Sequence, residues 1–188
     1  MILFRRATCC AILLLFIAAL VTRAGSAPPP IVPNQPLTLR PAPKSADVEP
    51  ARFAGMLAAH NRARRAVGVP DLQWSGELTS IAQAWAERLR VEHCVMRHSG
   101  AHGIGENLTW AARQHLSPAA VVATWVQEAG SFNPADGSCA PGAVCGHYTQ
   151  VVWRNTRTVG CGMVSCGDSE VWVCNYAPPG NYVGERPY

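Results

Sequence analysis

No apolar run in this 188-residue chain reaches the roughly 18 residues that a membrane-spanning helix needs. The mature protein is therefore expected to carry no transmembrane segment. Aromatic residues make up 7% of the chain and charged residues 15%, against 48% hydrophobic ones. That balance suits one soluble globular domain and leaves too little chain for two. There is no basic stripe. Of the 16 Lys and Arg residues, Arg5, Arg6 and Arg23 lie in the first 27 positions, which hold no acid. The remainder has 13 basic against 12 acidic residues, which gives nucleic acid no electrostatic footprint. No C-x-x-C pair is present, which argues against a zinc knot, and no G-x-S-x-G marks a serine nucleophile.

What is present begins with an export signal. Arg5 and Arg6 precede an apolar stretch from Ala7 to Val21, and Gly25-Ser26-Ala27 offers small residues for cleavage. Residues 1–27 are read as a signal peptide, so export ends outside the cell, or in the periplasm of a Gram-negative source. Eight of the 15 prolines fall between Pro28 and Pro50, which makes residues 28–50 an extended linker. The folded domain is expected over residues 51–188, and as a monomer.

Cleavage removes Cys9 and Cys10 and leaves an even set of six cysteines, which in an exported domain implies disulfides. Thr158–Cys166 and Glu170–Tyr176 read as strands joined at Gly167-Asp168. A two-residue turn there sets Cys166 against Ser169 and Cys161 against Cys174. Cys161–Cys174 is therefore one pair, and Cys139–Cys145 closes a short Gly- and Pro-containing loop. Elimination leaves Cys94–Cys166.

Phe53, Met56, Leu57, His60 and Ala63 recur at helical spacing, with Gly68 and Pro70 as the stop. Leu78, Ile81, Ala82, Trp85 and Leu89 form a second helical stripe. Ser117-Pro118 opens a third helix, which carries Val121, Val122, Trp125 and Ala129. Tyr148 to Trp153 is taken as the start of a β-rich C-terminal third. Helices first and antiparallel strands last predict an α+β fold with helices on both faces of a small, mainly antiparallel sheet.

Two segments are more specific: Gly146-His147-Tyr148-Thr149-Gln150-Val151-Val152-Trp153-Arg154-Asn155-Thr156 and Val171-Trp172-Val173-Cys174-Asn175-Tyr176-Ala177-Pro178-Pro179-Gly180-Asn181-Tyr182. With His60-Asn61-Arg62-Ala63-Arg64, Leu72-Gln73-Trp74, His98-Ser99 and Gly105-Glu106-Asn107-Leu108, they resemble the CAP superfamily of cysteine-rich secretory, antigen-five and plant pathogenesis-related group-one proteins. The plant branch is the nearest. The resemblance spans about residues 52–188. It implies a three-layer α-β-α sandwich with three disulfides and a cleft holding His98, Glu106, Glu128 and His147. The stretch from His98 to Glu106 is longer here than in the plant proteins and includes His102.

Two neutral imidazoles, His98 and His147, would suit a divalent metal such as zinc, with the carboxylates as outer partners or as a base. The four also suit a polar cluster that locks loops to helices without turnover. No cofactor is required by either reading, and no residue is assigned a catalytic role. His60 is read as a core histidine, His93, His102 and His115 as surface residues, and Trp85 and Trp125 as core. Asn107-Leu108-Thr109 is a formal glycosylation sequon.

The resemblance implies a non-enzymatic secreted protein that binds sterol, another lipid or a cell-surface target, in defence or host interaction. The ligand loop implied is Ser131 to Gly146, with Phe132, Ala135, Ala140, Ala143 and Val144 as its apolar residues. The alternatives are a zinc-dependent hydrolase and a precursor of a C-terminal signalling peptide. For the latter, Pro178 to Tyr188 matches the plant tail, but Ala177 replaces the acidic residue before the cut.

Overall fold

The computed structural model describes residues 47–188. The expected signal peptide, Cys9, Cys10 and most of the Pro-rich stretch lie outside the described residues. The last residues of that stretch, 47–50, are tied to the domain. Asp47 Oδ2 accepts the Gly76 N–H at 2.7 Å, and Glu49 accepts the N–H groups of Gly55 and Leu57 at 3.2 and 2.6 Å.

Glu49 matters because the first helix has no cap of its own. The helical pattern expected from Phe53 onward is broken into a 3-10 turn, Ala51–Phe53, and α1, Met56–Ala66. Gly55 separates them at φ 94°, a conformation that only glycine adopts without strain. A short β1, Gln73–Trp74, leads to α2, Gly76–Val91, whose Ser75 side chain caps Leu78 N–H. Then follow β2, Gly105–Ala111, and α3, Pro118–Val126, which starts on the expected Ser117 cap with proline in its first turn. A 3-10 turn, Gln127–Ser131, extends α3, so Ala129 and Glu128 leave the α-helix. A two-residue hairpin, β3 (Phe132–Asn133) with β4 (Ser138–Cys139), precedes α4, Gly146–Val151. The strands β5, Thr158–Cys166, and β6, Ser169–Ala177, close the sheet.

The expectation of β structure from Tyr148 is corrected by α4. The β-branched Val151 and Val152 suggested a strand. However, Tyr148, Val151 and Val152 fall at i, i+3 and i+4, and all three are buried on one side. β2, in turn, went unmarked in the sequence because its buried side chains include Asn107 beside Leu108 and Ala111.

The main sheet has the order β1-β5-β6-β2, with β1 parallel to β5 and the other pairs antiparallel. The β5–β6 register sets Cys161 against Cys174 and Cys166 against Ser169. Disulfides join Cys94 to Cys166, Cys139 to Cys145 and Cys161 to Cys174. α2 covers one face, where Ala82, Ala86 and Leu89 pack on Leu108, Val164, Val171 and Val173. The other face holds the larger core, in which Phe53, Met56, Trp125, Tyr148 and Val151 from the helices meet Val159, Trp172 and Tyr176. The result is an α-β-α sandwich. Trp125 is core, as expected. Trp85 sits at the margin, its Nε1–H on Arg97 O at 3.1 Å and the Arg97 guanidinium 4.6 Å above its ring, and Ile81 is exposed.

Two features fix the layers. Gly160 and Gly162 let the α2 backbone lie directly on β5: an added Cβ would stand 2.3 Å from Thr79 N or 2.4 Å from Gln83 N. Where β1 has ended, the Gln83 amide serves the free edge of β5, donating to Met163 O at 3.1 Å and accepting Met163 N–H at 3.0 Å. On the opposite face Arg64 is fully buried, and its guanidinium donates to the carbonyls of Pro70, Val151, Trp153 and Thr156. One side chain thereby pins the loop that follows α4 to α1.

Candidate functional site

Four segments converge beside the end of β2. The loop after α2 brings His98, β2 brings Glu106, the 3-10 turn after α3 brings Glu128, and α4 brings His147. His98 Nδ1 meets Glu106 Oε1 at 2.8 Å, and the Ser99 N–H donates to the same oxygen at 2.8 Å. His147 Nδ1 meets Glu128 Oε1 at 2.6 Å, while Glu128 Oε2 accepts the N–H groups of His147 and Tyr148 at 2.9 and 3.1 Å. The imidazoles are the accessible members, with His98 62% and His147 31% exposed against 7% for Glu106 and 16% for Glu128.

His147 is held at both its ring and its backbone. Trp125 stacks on its ring at 6.4 Å between centroids and 15° between planes. Asn107 Nδ2 donates to the His147 carbonyl at 3.0 Å and to the Tyr176 hydroxyl at 3.3 Å. That hydroxyl also meets His60 Nε2 at 2.9 Å, and His60 Nδ1 faces Met56 O at 2.9 Å. Because Met56 O only accepts, Nδ1 carries the proton and Nε2 receives the tyrosine O–H. His60 is thus a fully buried, neutral core histidine, and burial lowers its pKa to about 4. Asn107, 1% exposed and twice bonded, has no room for a glycan in the folded domain.

His98, Glu106, Asn107, Val144, Gly146, His147 and Asn181 line one cavity of about 200 Å³. The fit to a metal follows from the bonding. Both Nδ1 atoms are occupied by carboxylates, which leaves each Nε2 as the donor atom, backed in the way metal-bound histidines usually are. The hydrogen bond that Nδ1–H donates to Glu106 raises the His98 pKa above the ordinary imidazole value, so a metal there competes with a proton. Among the described residues no group of three or more His, Cys, Asp or Glu side chains is arranged to hold a metal. A cation would rest on two imidazoles and on water. The longer loop does not change that, since His102 is exposed and does not line the cavity.

The two carboxylates differ in how far they are engaged. Both Glu128 oxygens are engaged, and Glu106 Oε2 is buried without a partner. A second carboxylate–imidazole pair lies at the far end of β6, where Glu170 Oε1 meets the exposed His115 at 2.7 Å and Oε2 accepts Trp172 Nε1–H at 2.9 Å. His93 is exposed as well.

The implied ligand loop divides. Phe132 turns inward, its ring 5.6 Å from that of Tyr148 and 6.0 Å from that of Tyr188. Ala135, Ala140, Ala143 and Val144 are exposed, and of these only Val144 reaches the histidine cavity. A different apolar space appears between α1 and α3. Ala59, Ala63, Ala66, Ala119, Val122, Ala123 and Val126, with Arg62, surround about 290 Å³. The sequence reading missed it because alanines at helical spacing look like ordinary packing. The signal was their abundance on both helices.

The fold and this cleft define a class, namely small disulfide-bridged α-β-α domains with carboxylate-backed histidines. The chain belongs to the CAP family, the cysteine-rich secretory protein family, whose model matches residues 57–176. It is 45% identical over 131 residues to a pathogenesis-related protein PR-1 type of Sambucus nigra, covering 69% of this chain and 78% of the relative. To pathogenesis-related protein PR-1 of Medicago truncatula it is 46% identical over 134 residues, covering 70% and 76%. Among solved structures it is similar to Schistosoma mansoni venom allergen-like protein 4, at 26% identity and TM-score 0.57, covering 71% of this chain and 91% of that one. The fold also matches that of NaASP2, solved with Zn2+, at 24% identity and TM-score 0.61, covering 78% and 88%.

Proposed function

We propose that this chain is a secreted, defence-associated binding protein that takes up an acyl chain between α1 and α3 without covalent chemistry. The observation that carries this reading is the alanine-walled space of about 290 Å³. Small side chains on both helices leave a slot of apolar walls, and its volume, at the lower end for ligand pockets, suits an alkyl chain better than a fused sterol ring. Arg62 at its margin gives a carboxylate head a cation to meet. The signal-like residues 1–27 support export, and the names of the plant relatives support a role in defence. Titration with a fluorescent fatty acid should saturate, and Ala63→Trp or Ala123→Trp, which fills the slot, should abolish uptake. No saturable uptake by the wild type sinks the reading, and sterol in place of fatty acid would redirect it to the exposed loop.

A second reading concerns the histidine cavity, and the capture of both Nδ1 atoms by carboxylates favours it. His98 and His147 bind a divalent cation such as zinc reversibly through their Nε2 atoms, and Glu106 and Glu128 orient the rings. When bound, such an ion would supply Lewis acidity to water, and Glu128, with both oxygens bonded, would serve to orient His147. The presence of Zn2+ in the NaASP2 structure agrees with this. Calorimetric titration with zinc should give saturable heat that the His98→Ala/His147→Ala variant lacks. Equal heats in both proteins would remove the site.

A further inference from the structure

α4 is six residues long, far too short to be helical by itself, yet it carries one of the two imidazoles that line the cavity. Its position comes from what packs along it. After β6 the chain turns back and runs the length of α4. Gly180 N–H donates to Gln150 Oε1 at 3.0 Å, and Arg154 N–H donates to Pro187 O at 2.6 Å. The Tyr148 and Tyr188 hydroxyls meet at 3.1 Å, and the Tyr182 ring lies 6.2 Å from that of Trp153.

Of the contacts that the tail makes, the one nearest His147 is made by Asn181. Its Nδ2 donates to Gly146 O at 2.8 Å, and its Oδ1 accepts the Thr149 hydroxyl at 2.7 Å. One amide therefore bridges the residues on either side of His147 and Tyr148. Asn181 has φ 60°, a left-handed conformation in which Asn is favoured over most side chains. It also lines the histidine cavity and the adjoining space of about 280 Å³ among Phe132, Trp153, Tyr182 and Glu185. Gly146 and Asn181 are common to both linings.

We infer that the C-terminal tail is a strap that positions His147, with Asn181 as its positioning residue. Glu128 decides which ring nitrogen is free and, with Asn107, holds the backbone of His147 and Tyr148 from the side of the core. Asn181 ties down the flanking Gly146 and Thr149 from the side of the tail and so fixes the first turn of α4 relative to the loop carrying His98. The inference rests on the metal reading above. Two ligands on unconnected elements chelate one ion only if both backbones are held to within a fraction of an ångström, and a six-residue helix cannot provide this alone.

Asn181→Gly is the informative variant because glycine keeps the left-handed backbone while deleting both hydrogen bonds. In the full chain it should weaken zinc affinity on the order of tenfold, as loss of an outer partner typically does. Without metal, amide exchange should quicken at residues 147–149 but not in β5 or β6. Thr149→Val should reproduce part of the effect, and the double variant should fall short of the sum. Unchanged α4 exchange in Asn181→Gly overturns the strap, as does faster exchange spread over the whole sheet. Faster α4 exchange with unchanged zinc affinity overturns its positioning role. If the wild type takes no zinc, the metal reading fails and the exchange measurement still decides whether the tail holds α4.

Discussion

At His60 the sign of a pH effect is fixed by burial. The unfolded side chain titrates near its ordinary value of 6.5, whereas burial, and the nearby Arg64 charge, hold the folded one at about 4. Between those values the unfolded chain binds more protons, so stability present above pH 6.5 is lost as pH falls toward 4. The difference corresponds to about 3 kcal/mol. Urea unfolding at pH 7 and pH 4 should show that loss in the wild type, and His60→Gln, less stable at pH 7, should lack this component. Parallel pH profiles would refute the assignment. His98 works in the opposite sense, since Glu106 raises its pKa and its contribution fades as pH rises through the folded value. Both histidines were visible in the sequence, but their opposite behaviour was not. It depends on Met56, Tyr176 and Glu106, which are neighbours only after folding.

Among the elements, α2 and β5 form the tightest junction. A Cβ on Gly162 would approach Gln83 N at 2.4 Å and Gln83 Cα at 2.5 Å, and these are backbone atoms that no rotamer change can move. Gly162→Ala must lift α2 from the sheet and loosen Ala82, Ala86 and Leu89 against Val164 and Val173. The expected cost is about 3 kcal/mol, readable as a drop in melting temperature. A variant as stable as the wild type would show that α2 can shift freely. α4 teaches a different lesson about local sequence. Valines and a tyrosine favour a strand there, and tertiary burial of one helical side overrides that preference. The strand register, by contrast, was readable in advance, because a two-residue turn leaves a hairpin only one pairing.

At the scale of the whole domain, the disulfide bridges differ in reach. Cys94–Cys166 spans 72 residues and fastens the end of α2 to β5, whereas Cys139–Cys145 spans only 6. Loop-closure entropy assigns about 4 kcal/mol to the longer link and about 2 kcal/mol to the shorter. Replacing Cys94 and Cys166 by Ser should therefore lower the denaturant midpoint more than replacing Cys139 and Cys145. The reverse order would mean that the short loop's hold on α4 outweighs chain entropy. By itself the sequence determined the helical stripes of α1 and α2, the capped start of α3, the β5–β6 register and the family to which its motifs belong. Each of these follows from periodicity, turn chemistry or contiguous residues. Only the tertiary structure decided that Glu106 and Glu128 each seize an imidazole Nδ1, that alanines of α1 and α3 leave an apolar slot, and that Asn181 lines the histidine cavity. Those contacts join stretches far apart in the chain, and the packing of layers, which no local pattern encodes, sets their distances.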